Sequence, residues 1–284
     1  DRSVSRGLGD VYKRQVQNIT DPDIVPYIPD GIGNSTDRQR IPAVLIIPGG
    51  AFRRLVYNFE GEDVAKWLNS MGIAAFVLEC RLPSDEHDNA EDVPLIDAMR
   101  AMRVIRGRAQ EFGIDEAKIG VMGFSAGGFM AALLSTAYES DVYADYKYKD
   151  EYDKLSARPD FAVCSYPVIS IDDCIEAGKR YMSEEQVLER ISDSKAKILH
   201  KYNPDKLVRP DMPPVFICET DDDRTTLSEN SVGFYMAARK AGVSAELHIF
   251  RTGGHGYGCG DDFAQTGEWK VLFTKWIKSI GIIS

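Results

Sequence analysis

The feature that most constrains the fold of this chain is a glycine-flanked serine between a strand-like run and a helix-like run. Residues 118–122 are Lys-Ile-Gly-Val-Met, residues 123–127 are Gly-Phe-Ser-Ala-Gly, and residues 129–132 are Phe-Met-Ala-Ala. Glycines on both sides of Ser125 permit a sharp strand-to-helix turn without a Cβ clash. The pattern predicts that Ser125 is an exposed nucleophile on such a turn, with a purely structural turn as the alternative.

Strand-like and helix-like runs alternate along most of the chain. Continuous or alternating apolar residues predict strands at 43–47, 73–80, 161–167, 215–220 and 245–249. Apolar residues at helical spacing predict helices at 60–71, 94–112, 229–241 and 269–280. Because strands and helices alternate with short joints, we predict an α/β fold with a mostly parallel central sheet and helices on both faces.

The alternation suggests one domain over residues 16–284. Residues 16–42 are polar and turn-rich and predict an early strand or hairpin, whose partner we expect upstream of the sequence given. Residues 168–213 are polar, have no strand pattern, and are expected to form a small cap. Residues 1–15 lack any periodicity and resemble a translated sequencing adapter. We therefore treat these residues as an artefact and expect the native N-terminus to be missing.

Composition excludes several classes of partner. The chain has 44 acidic and 34 basic residues, a net charge of −10, which argues against nucleic acid or an anionic membrane surface as a partner. No apolar run approaches the roughly 20 residues needed to cross a bilayer. The five cysteines are odd in number and widely spaced, without a zinc pattern. We predict no metal and favour a reducing, cytoplasmic compartment.

A serine nucleophile needs a base, and the chain has four histidines. His87 lies in an acidic loop, His200 in a polar stretch and His248 within the last strand. His255 lies in a Gly-Gly-His-Gly loop directly after that strand. Because loops at the carboxyl ends of parallel strands build the sites of such sheets, we predict His255 as the base.

The acid that orients the base is expected after the next-to-last strand, in the chain order Ser, Asp, His. Residues 221–223 are three consecutive aspartates, so Asp222 and Asp223 are both candidates. An acidic loop that binds a metal is the rival interpretation, although no neighbouring ligand spacing supports it.

Backbone N–H groups must stabilise the oxyanion that such a reaction forms. We expect one from Ala126, directly after the nucleophile. The others are expected from the loop at 48–52, Pro-Gly-Gly-Ala-Phe, which follows the first central strand. A plain tight turn is the alternative for this loop.

Several motifs in order resemble the α/β-hydrolase esterase/lipase superfamily, with the closest similarity to bacterial acetyl esterases of the acetylxylan and feruloyl esterase type. These motifs lie at residues 47–52, 60–62, 123–128, 166–170, 213–216 and 254–256, and the similarity spans roughly residues 41–280. The resemblance implies an eight-stranded sheet, a serine triad and no cofactor. It also implies that Gly50 and Ala51 donate to the oxyanion, and it favours Asp223, since Thr226 occupies the valine position of the D-x-x-V pattern.

The first functional hypothesis is a serine carboxylesterase that uses Ser125, His255 and Asp223. The resemblance implies a small-molecule or oligosaccharide ester as substrate, with acetyl groups on xylan-derived carbohydrate. Two alternatives are an oligopeptidase-like serine hydrolase and a non-catalytic hydrolase-fold protein that binds an acyl ligand. Phe52, with its neighbours at 53, 54 and 57, is either the floor of a sugar site or ordinary loop surface. The sequence leaves the oligomeric state open.

Overall fold

The computed structural model describes residues 15–31, 40–85, 87–145, 150–180, 182–191, 194–260 and 265–284. Most of the segment interpreted as an adapter, residues 1–14, lies outside the described residues. Within the described residues the strands are β1 (Gln15–Val16), β2 (Asp23–Tyr27), β3 (Ile41–Ile47), β4 (Leu55–Val56), β5 (Ala74–Glu79), β6 (Ile114–Phe124), β7 (Ala162–Ser165), β8 (Val215–Thr220) and β9 (Ala245–Phe250). The helices are α1 (Asp63–Ser70), α2 (Val93–Gly107), α3 (Ala109–Phe112), α4 (Ala126–Ala137), α5 (Ile171–Lys179), α6 (Glu184–Ile191), α7 (Ser194–Lys201), α8 (Ser228–Lys240) and α9 (Glu268–Ser279).

The central sheet has the strand order β2-β5-β3-β6-β7-β8-β9. Among the strands that the structure describes in this sheet, only β2 runs antiparallel to its neighbour, so the predicted mostly parallel sheet is confirmed. β2 pairs with β5 on one side and lies at the edge of the described sheet, so the expectation of a partner upstream of the sequence given stays a prediction. The described part of the chain contributes seven strands to this sheet rather than the eight implied by the resemblance, and β1 pairs with β4 in a separate two-stranded sheet.

Successive side chains of each strand point to opposite faces of the sheet and pack into two hydrophobic cores, one on each face. In β3, Leu45 and Ile47 pack into one core together with residues of α2, α4 and α8. Val44 and Ile46 point to the other core, which α1 and α9 cover. Strands that are buried on both faces have continuous apolar sequences, and helices on both faces are confirmed.

Two predicted helices differ from the structure. The helix predicted at 94–112 is interrupted at Arg108, whose φ of −98° and ψ of 15° depart from helical values. The ring of Tyr152 lies directly against Gly107 at this break. The helix predicted at 60–71 begins with a π-helical turn at Asn58–Glu62, which leads into α1.

The carboxyl ends of the parallel strands lie at one edge of the sheet. The segments that follow β3, β6, β7, β8 and β9 carry most of the predicted site residues. The segment predicted as a cap, residues 168–213, contains α5, α6 and α7 and, in its described part, no strand. In the described residues, no helix combines the length and apolarity that a bilayer crossing requires.

Candidate active site

Ser125 lies on a sharp turn between the end of β6 and the start of α4. Its backbone has φ 53° and ψ −117°, a conformation that L-residues rarely adopt. A Cβ on Gly123 would lie 1.9 Å from the carbonyl oxygen of Gly127, and one on Gly127 would lie 1.9 Å from that of Ile47. Both glycines are therefore required by the close approach of backbone segments, as the motif predicts.

Backbone strain is concentrated at this edge of the sheet. Six non-glycine residues of the described chain have positive φ, and four of them are Ala51, Phe52, Ser125 and Tyr166. Each such conformation costs of order 1–3 kcal/mol and persists only where the surroundings enforce it. Strain of this kind is typical of functional sites.

The structure brings Ser125, His255 and Asp223 together. Nε2 of His255 lies 2.8 Å from Oγ of Ser125, and Nδ1 lies 2.6 Å from Oδ2 of Asp223. The Asp223 side chain is fully buried, whereas that of His255 is 21% exposed. A carboxylate at Nδ1 fixes the tautomer in which Nε2 can accept the serine proton.

The carboxylate of Asp223 is held by the residues that follow it. Oδ1 accepts the N–H of Thr225 at 2.7 Å and that of Thr226 at 3.0 Å, and Oδ2 accepts the Thr226 hydroxyl at 2.9 Å. Burial opposes ionisation, but the hydrogen bond and charge of His255 and these backbone bonds outweigh it and lower the pKa of Asp223. The group therefore stays ionised beside the imidazole.

Asp222 has a different position from its neighbour. Its Oδ1 accepts the N–H groups of Gly253 and Gly254 at 2.9 and 2.8 Å. These are the two residues before His255, so Asp222 braces the loop that carries the imidazole without contacting the ring itself. The two candidate acids thus occupy separate places in the structure.

A second buried carboxyl group lies behind Asp223 and was not anticipated from the sequence. Glu219, at the end of β8, is fully buried, accepts the N–H of Thr220 at 2.8 Å and hydrogen-bonds with Ser231 at 3.3 Å. Burial and the adjacent charge of Asp223 raise the pKa of Glu219 well above its usual value. Glu219 therefore favours its neutral form beside the ionised Asp223. An acidic residue at the end of an apolar strand is the signal that could have identified it.

The loop expected to bind the oxyanion lies directly against the serine turn. A Cβ on Gly49 would lie 2.9 Å from that of Ser125. Gly50 has φ 135°, and a Cβ there would lie 2.0 Å from the Arg54 carbonyl oxygen. Ala51 follows with φ 56° and an exposed side chain. The loop thus meets the serine turn at Gly49, and Gly50 and Ala51 stay predicted oxyanion donors.

Ala126 is the first residue of α4, so its N–H has no acceptor within the helix. It lies next to Ser125, on the turn that the loop of Gly49 contacts. The three predicted donors, Gly50, Ala51 and Ala126, thus belong to two adjoining segments.

Phe52 is buried rather than part of the loop surface. Its ring packs edge-on against Phe129, with centroids 5.6 Å apart, and only 5% of the residue is exposed. Together with Leu82, Ala126 and Met130 it lines a cavity of about 10 Å³. Phe52 therefore lies beside the serine turn, at a small apolar space.

Two further residues of the site, Glu60 and Tyr166, were missed as site residues by the sequence analysis. Glu60 is buried and accepts the N–H of Gly49 at 2.7 Å, and the hydroxyl of Tyr166 donates to Glu60 at 2.9 Å. Both positions lie in motifs that carry the family resemblance, but no local pattern pairs two residues that are 106 positions apart.

Among the residues that the structure describes, no group of three or more His, Cys, Asp or Glu side chains is arranged to hold a metal. Four cysteines in this part of the chain, Cys80, Cys164, Cys218 and Cys259, are buried free thiols. The expectations of no metal, no cofactor and a reducing compartment stay predictions.

Comparison with protein families gives a match to the BD-FAE family model over residues 32–237. An acetylxylan esterase of Xylanibacter ruminicola is 31% identical over 240 residues, which are 84% of this chain and 45% of that protein. Endo-1,4-beta-xylanase B of Butyrivibrio fibrisolvens is 31% identical over 227 residues, 80% of this chain and 34% of that protein. The chain thus spans less than half the length of these curated relatives.

Solved structures give the same assignment over nearly the whole chain. An acetyl ester-xyloside bifunctional hydrolase from Caldicellulosiruptor lactoaceticus is 35% identical with a TM-score of 0.75, over 96% of this chain and 98% of that one. The carboxylesterase Cest-2923 of Lactobacillus plantarum has a TM-score of 0.74 at 22% identity, over 96% and 98% of the two chains. The second match shows the fold alone, and the predicted α/β-hydrolase fold is confirmed.

Proposed function

Since this chain belongs to the BD-FAE family of α/β-hydrolases, we propose that it is a serine carboxylesterase that removes short acyl groups, acetyl above all, from xylan-derived carbohydrate. The observation that carries the proposal is the pair of hydrogen bonds that joins Ser125 to His255 and His255 to Asp223. This is the arrangement that makes a serine hydroxyl nucleophilic.

In the proposed reaction, Oγ of Ser125 attacks the ester carbonyl carbon while Nε2 of His255 takes the hydroxyl proton. Asp223 stabilises the imidazolium that forms, and the N–H groups of the loop at 50–51 and of Ala126 stabilise the oxyanion. The intermediate collapses as the imidazolium returns its proton to the leaving alcohol, which gives an acyl-serine. Water, activated by the same imidazole, then attacks the acyl-serine and releases the carboxylic acid.

The cavity beside Phe52 supports a short acyl group. Its volume of about 10 Å³ is roughly that needed by one water molecule, a size that suits the methyl of an acetyl group. Leu82, Met130 and the buried ring of Phe52 line this space, so we expect a longer acyl chain to displace them. This is the role proposed for Phe52 in substrate binding.

The names of the relatives support carbohydrate as the alcohol. An acetylxylan esterase, a xylanase and an acetyl ester-xyloside hydrolase are all named for xylan or xylosides. We extend this to the present chain as a proposal, together with an organisation in which residues 16–284 form one domain and residues 168–213 form a cap over the site.

Hydrolysis of p-nitrophenyl acetate tests the proposed activity. Ser125→Ala should lower kcat by about 10⁴-fold or more, because the variant lacks the nucleophile. Ser70→Ala, at the exposed end of α1, is the matched control and should keep wild-type activity. Folded wild-type protein that is inert toward acetyl, butyryl and hexanoyl esters would contradict the proposal.

The two alternative functions give different results in the same assays. An oligopeptidase-like enzyme would also hydrolyse an amide with a matched acyl group, whereas an esterase would leave that amide intact. A non-catalytic binding protein would leave Ser125 unlabelled by a fluorophosphonate probe.

A further inference from the structure

A buried carboxylate lies between the loops of the proposed site. Glu60, in the π-helical turn before α1, is only 4% exposed. Its Oε2 accepts the N–H of Gly49 at 2.7 Å, and its Oε1 accepts the hydroxyl of Tyr166 at 2.9 Å. One side chain therefore joins the loop after β3 to the residue that follows β7.

Tyr166 continues this connection to the loop that carries His255. The N–H of Gly258 donates to the Tyr166 hydroxyl oxygen at 3.0 Å, while the carbonyl of Gly258 accepts from Nε1 of Trp269 at 3.1 Å. The ring of Phe59, the residue before Glu60, occupies the place where a Cβ on Gly258 would lie. The segment around Glu60 thus contacts the histidine loop by packing and through a hydrogen-bonded chain.

The Tyr166 hydroxyl donates a hydrogen bond to Glu60 and accepts one from Gly258. Burial and the charge of Glu60 raise the pKa of Tyr166 well above its usual value, so the phenol stays protonated and can act as this donor. The ring of Tyr166 also packs edge-on against the imidazole of His255, with centroids 5.0 Å apart. Tyr166 is fully buried.

We propose that Glu60 is a positioning residue that couples the oxyanion loop to the histidine loop through the hydroxyl of Tyr166. The inference rests on the proposed function, in which the donors after Gly49 and the imidazole of His255 must be in place in the same step. Catalysis of this kind is sensitive to displacements of about 1 Å. A shared anchor fixes both loops relative to Ser125 and to each other.

Glu60→Gln and Tyr166→Phe, singly and combined, test this coupling. Phenylalanine at position 166 removes only the hydroxyl. Glutamine at position 60 replaces the carboxylate that accepts the Tyr166 hydroxyl by a neutral amide. Glu62→Gln is the first control, since Glu62 lies in the same turn and pairs instead with Lys66 at 2.6 Å. Tyr138→Phe is the second, because it also removes a hydrogen-bonded hydroxyl from a buried tyrosine, in this case one bonded to Asp211.

Steady-state kinetics with p-nitrophenyl acetate are the first readout. We expect each of the two variants to lower kcat by about 10- to 100-fold, with KM changed by less than about 3-fold. The double variant should have about the same kcat as the more impaired single variant, because both substitutions interrupt the same hydrogen-bonded connection. Independent losses that multiply in the double variant would overturn the proposal, as would control variants that lose as much.

Amide hydrogen exchange is the second readout, and it does not depend on turnover. Glu60→Gln should accelerate exchange in residues 256–259, to which the Glu60 carboxylate is linked through the hydroxyl of Tyr166. Tyr166→Phe should accelerate exchange in residues 48–52, to which the hydroxyl is linked through the Glu60 carboxylate. Acceleration confined to the directly bonded loop in each case would overturn the coupling.

The two readouts separate the inference from the proposed function. Wild-type protein without esterase activity would refute the function, while the exchange experiment would still decide whether the loops are coupled. If Glu60→Gln fails to fold, the effect of Tyr166→Phe on residues 48–52 decides the question alone.

Discussion

Two parts of this molecule are held together in different ways. At the edge of the sheet around Ser125, buried hydrogen bonds join loops that are far apart in sequence, as between Asp223 and His255 or Glu60 and Tyr166. Residues 168–213 are anchored by buried hydrogen bonds near both ends, such as that of Tyr202 with Asp92. Between these anchors lie exposed pairs such as Arg180–Glu229 at 3.2 Å, whose side chains are 47% and 56% exposed. Buried bonds fix geometry, whereas exposed pairs contribute little to stability.

The contrast suggests that the sheet edge and residues 168–213 contribute differently to the proposed function. The sheet edge stores strained backbone at Ser125 and Tyr166 and places the reacting groups before substrate arrives. The segment 168–213 is attached at its start by Asn230, whose Oδ1 accepts the N–H groups of Ile169 and Ser170. We expect the first region to set the rate of the chemistry and to be the less tolerant of substitution.

The largest expected effect within the sheet edge separates the two neighbouring aspartates. Asp223→Asn should lower kcat by about 10⁴-fold, because an amide at Nδ1 disfavours the required imidazole tautomer. Asp222→Asn keeps a carbonyl oxygen for Gly253 and Gly254 and should stay within about 3-fold of wild type. Kinetics with p-nitrophenyl acetate check both variants, and a larger loss in Asp222→Asn would reverse the assignment.

The next effect concerns stability and the buried Glu219. Because its pKa is raised in the folded protein, the unfolded chain loses this proton at lower pH than the folded protein does. The free energy of unfolding should therefore fall as pH rises above the ordinary glutamate pKa of about 4.3. The slope of this fall corresponds to one proton more bound in the folded protein than in the unfolded chain. Glu219→Gln should lack this decline.

Urea unfolding of wild type and Glu219→Gln between pH 5 and 8 measures the difference. We expect the free energy of unfolding of wild type to fall relative to that of Glu219→Gln as pH rises. Parallel curves would mean that Glu219 ionises in the folded protein as it does in the unfolded chain.

A smaller effect is expected at Thr226, where the resemblance leads one to expect valine. Thr226→Val keeps the shape of the side chain but removes the hydroxyl that donates to Asp223. One hydrogen bond of this kind is worth about 1 kcal/mol, so kcat/KM should fall about 5-fold. Thr225→Val is the control, because Thr225 binds Asp223 through its backbone N–H. Equal losses of kcat/KM in Thr226→Val and Thr225→Val would show that the hydrogen bond of the Thr226 hydroxyl does not contribute to activity.

The smallest effect is expected in the segment 168–213. Arg180→Ala removes an exposed ion pair and should change the free energy of unfolding by less than about 0.5 kcal/mol. Turnover of p-nitrophenyl acetate should stay within about 2-fold of wild type. A loss of turnover as large as that of Thr226→Val would remove the contrast between the two regions.

The sequence predicts well what local patterns determine. The turn at Ser125 and the loop of His255 each have glycines around one reactive residue, and strands such as β3 and β8 are continuous apolar runs. The break at Arg108 was not predicted, because the apolar periodicity continues from α2 into α3. The pairing of β2 with β5 was also not predicted, since it joins segments that are distant in sequence.

The parts of the site that the sequence left open depend on three-dimensional contacts. Asp222 and Asp223 are adjacent and chemically identical, so only the path of the loop after β8 distinguishes the one that faces His255. Glu60 belongs to a recognised motif, but its contact with Tyr166 exists only after the sheet has formed. A hydroxyl at position 226 looks like a departure from the family pattern until its bond to Asp223 is seen.

The most direct test of the central claim is to identify the residue that a fluorophosphonate modifies in the folded protein. Mass spectrometry of the intact protein and of its peptides should find a single adduct, located on Ser125. Labelling should be absent in Ser125→Ala and strongly slowed in His255→Ala, because the imidazole takes the serine proton. An adduct on another residue, or undiminished labelling of His255→Ala, would contradict the account.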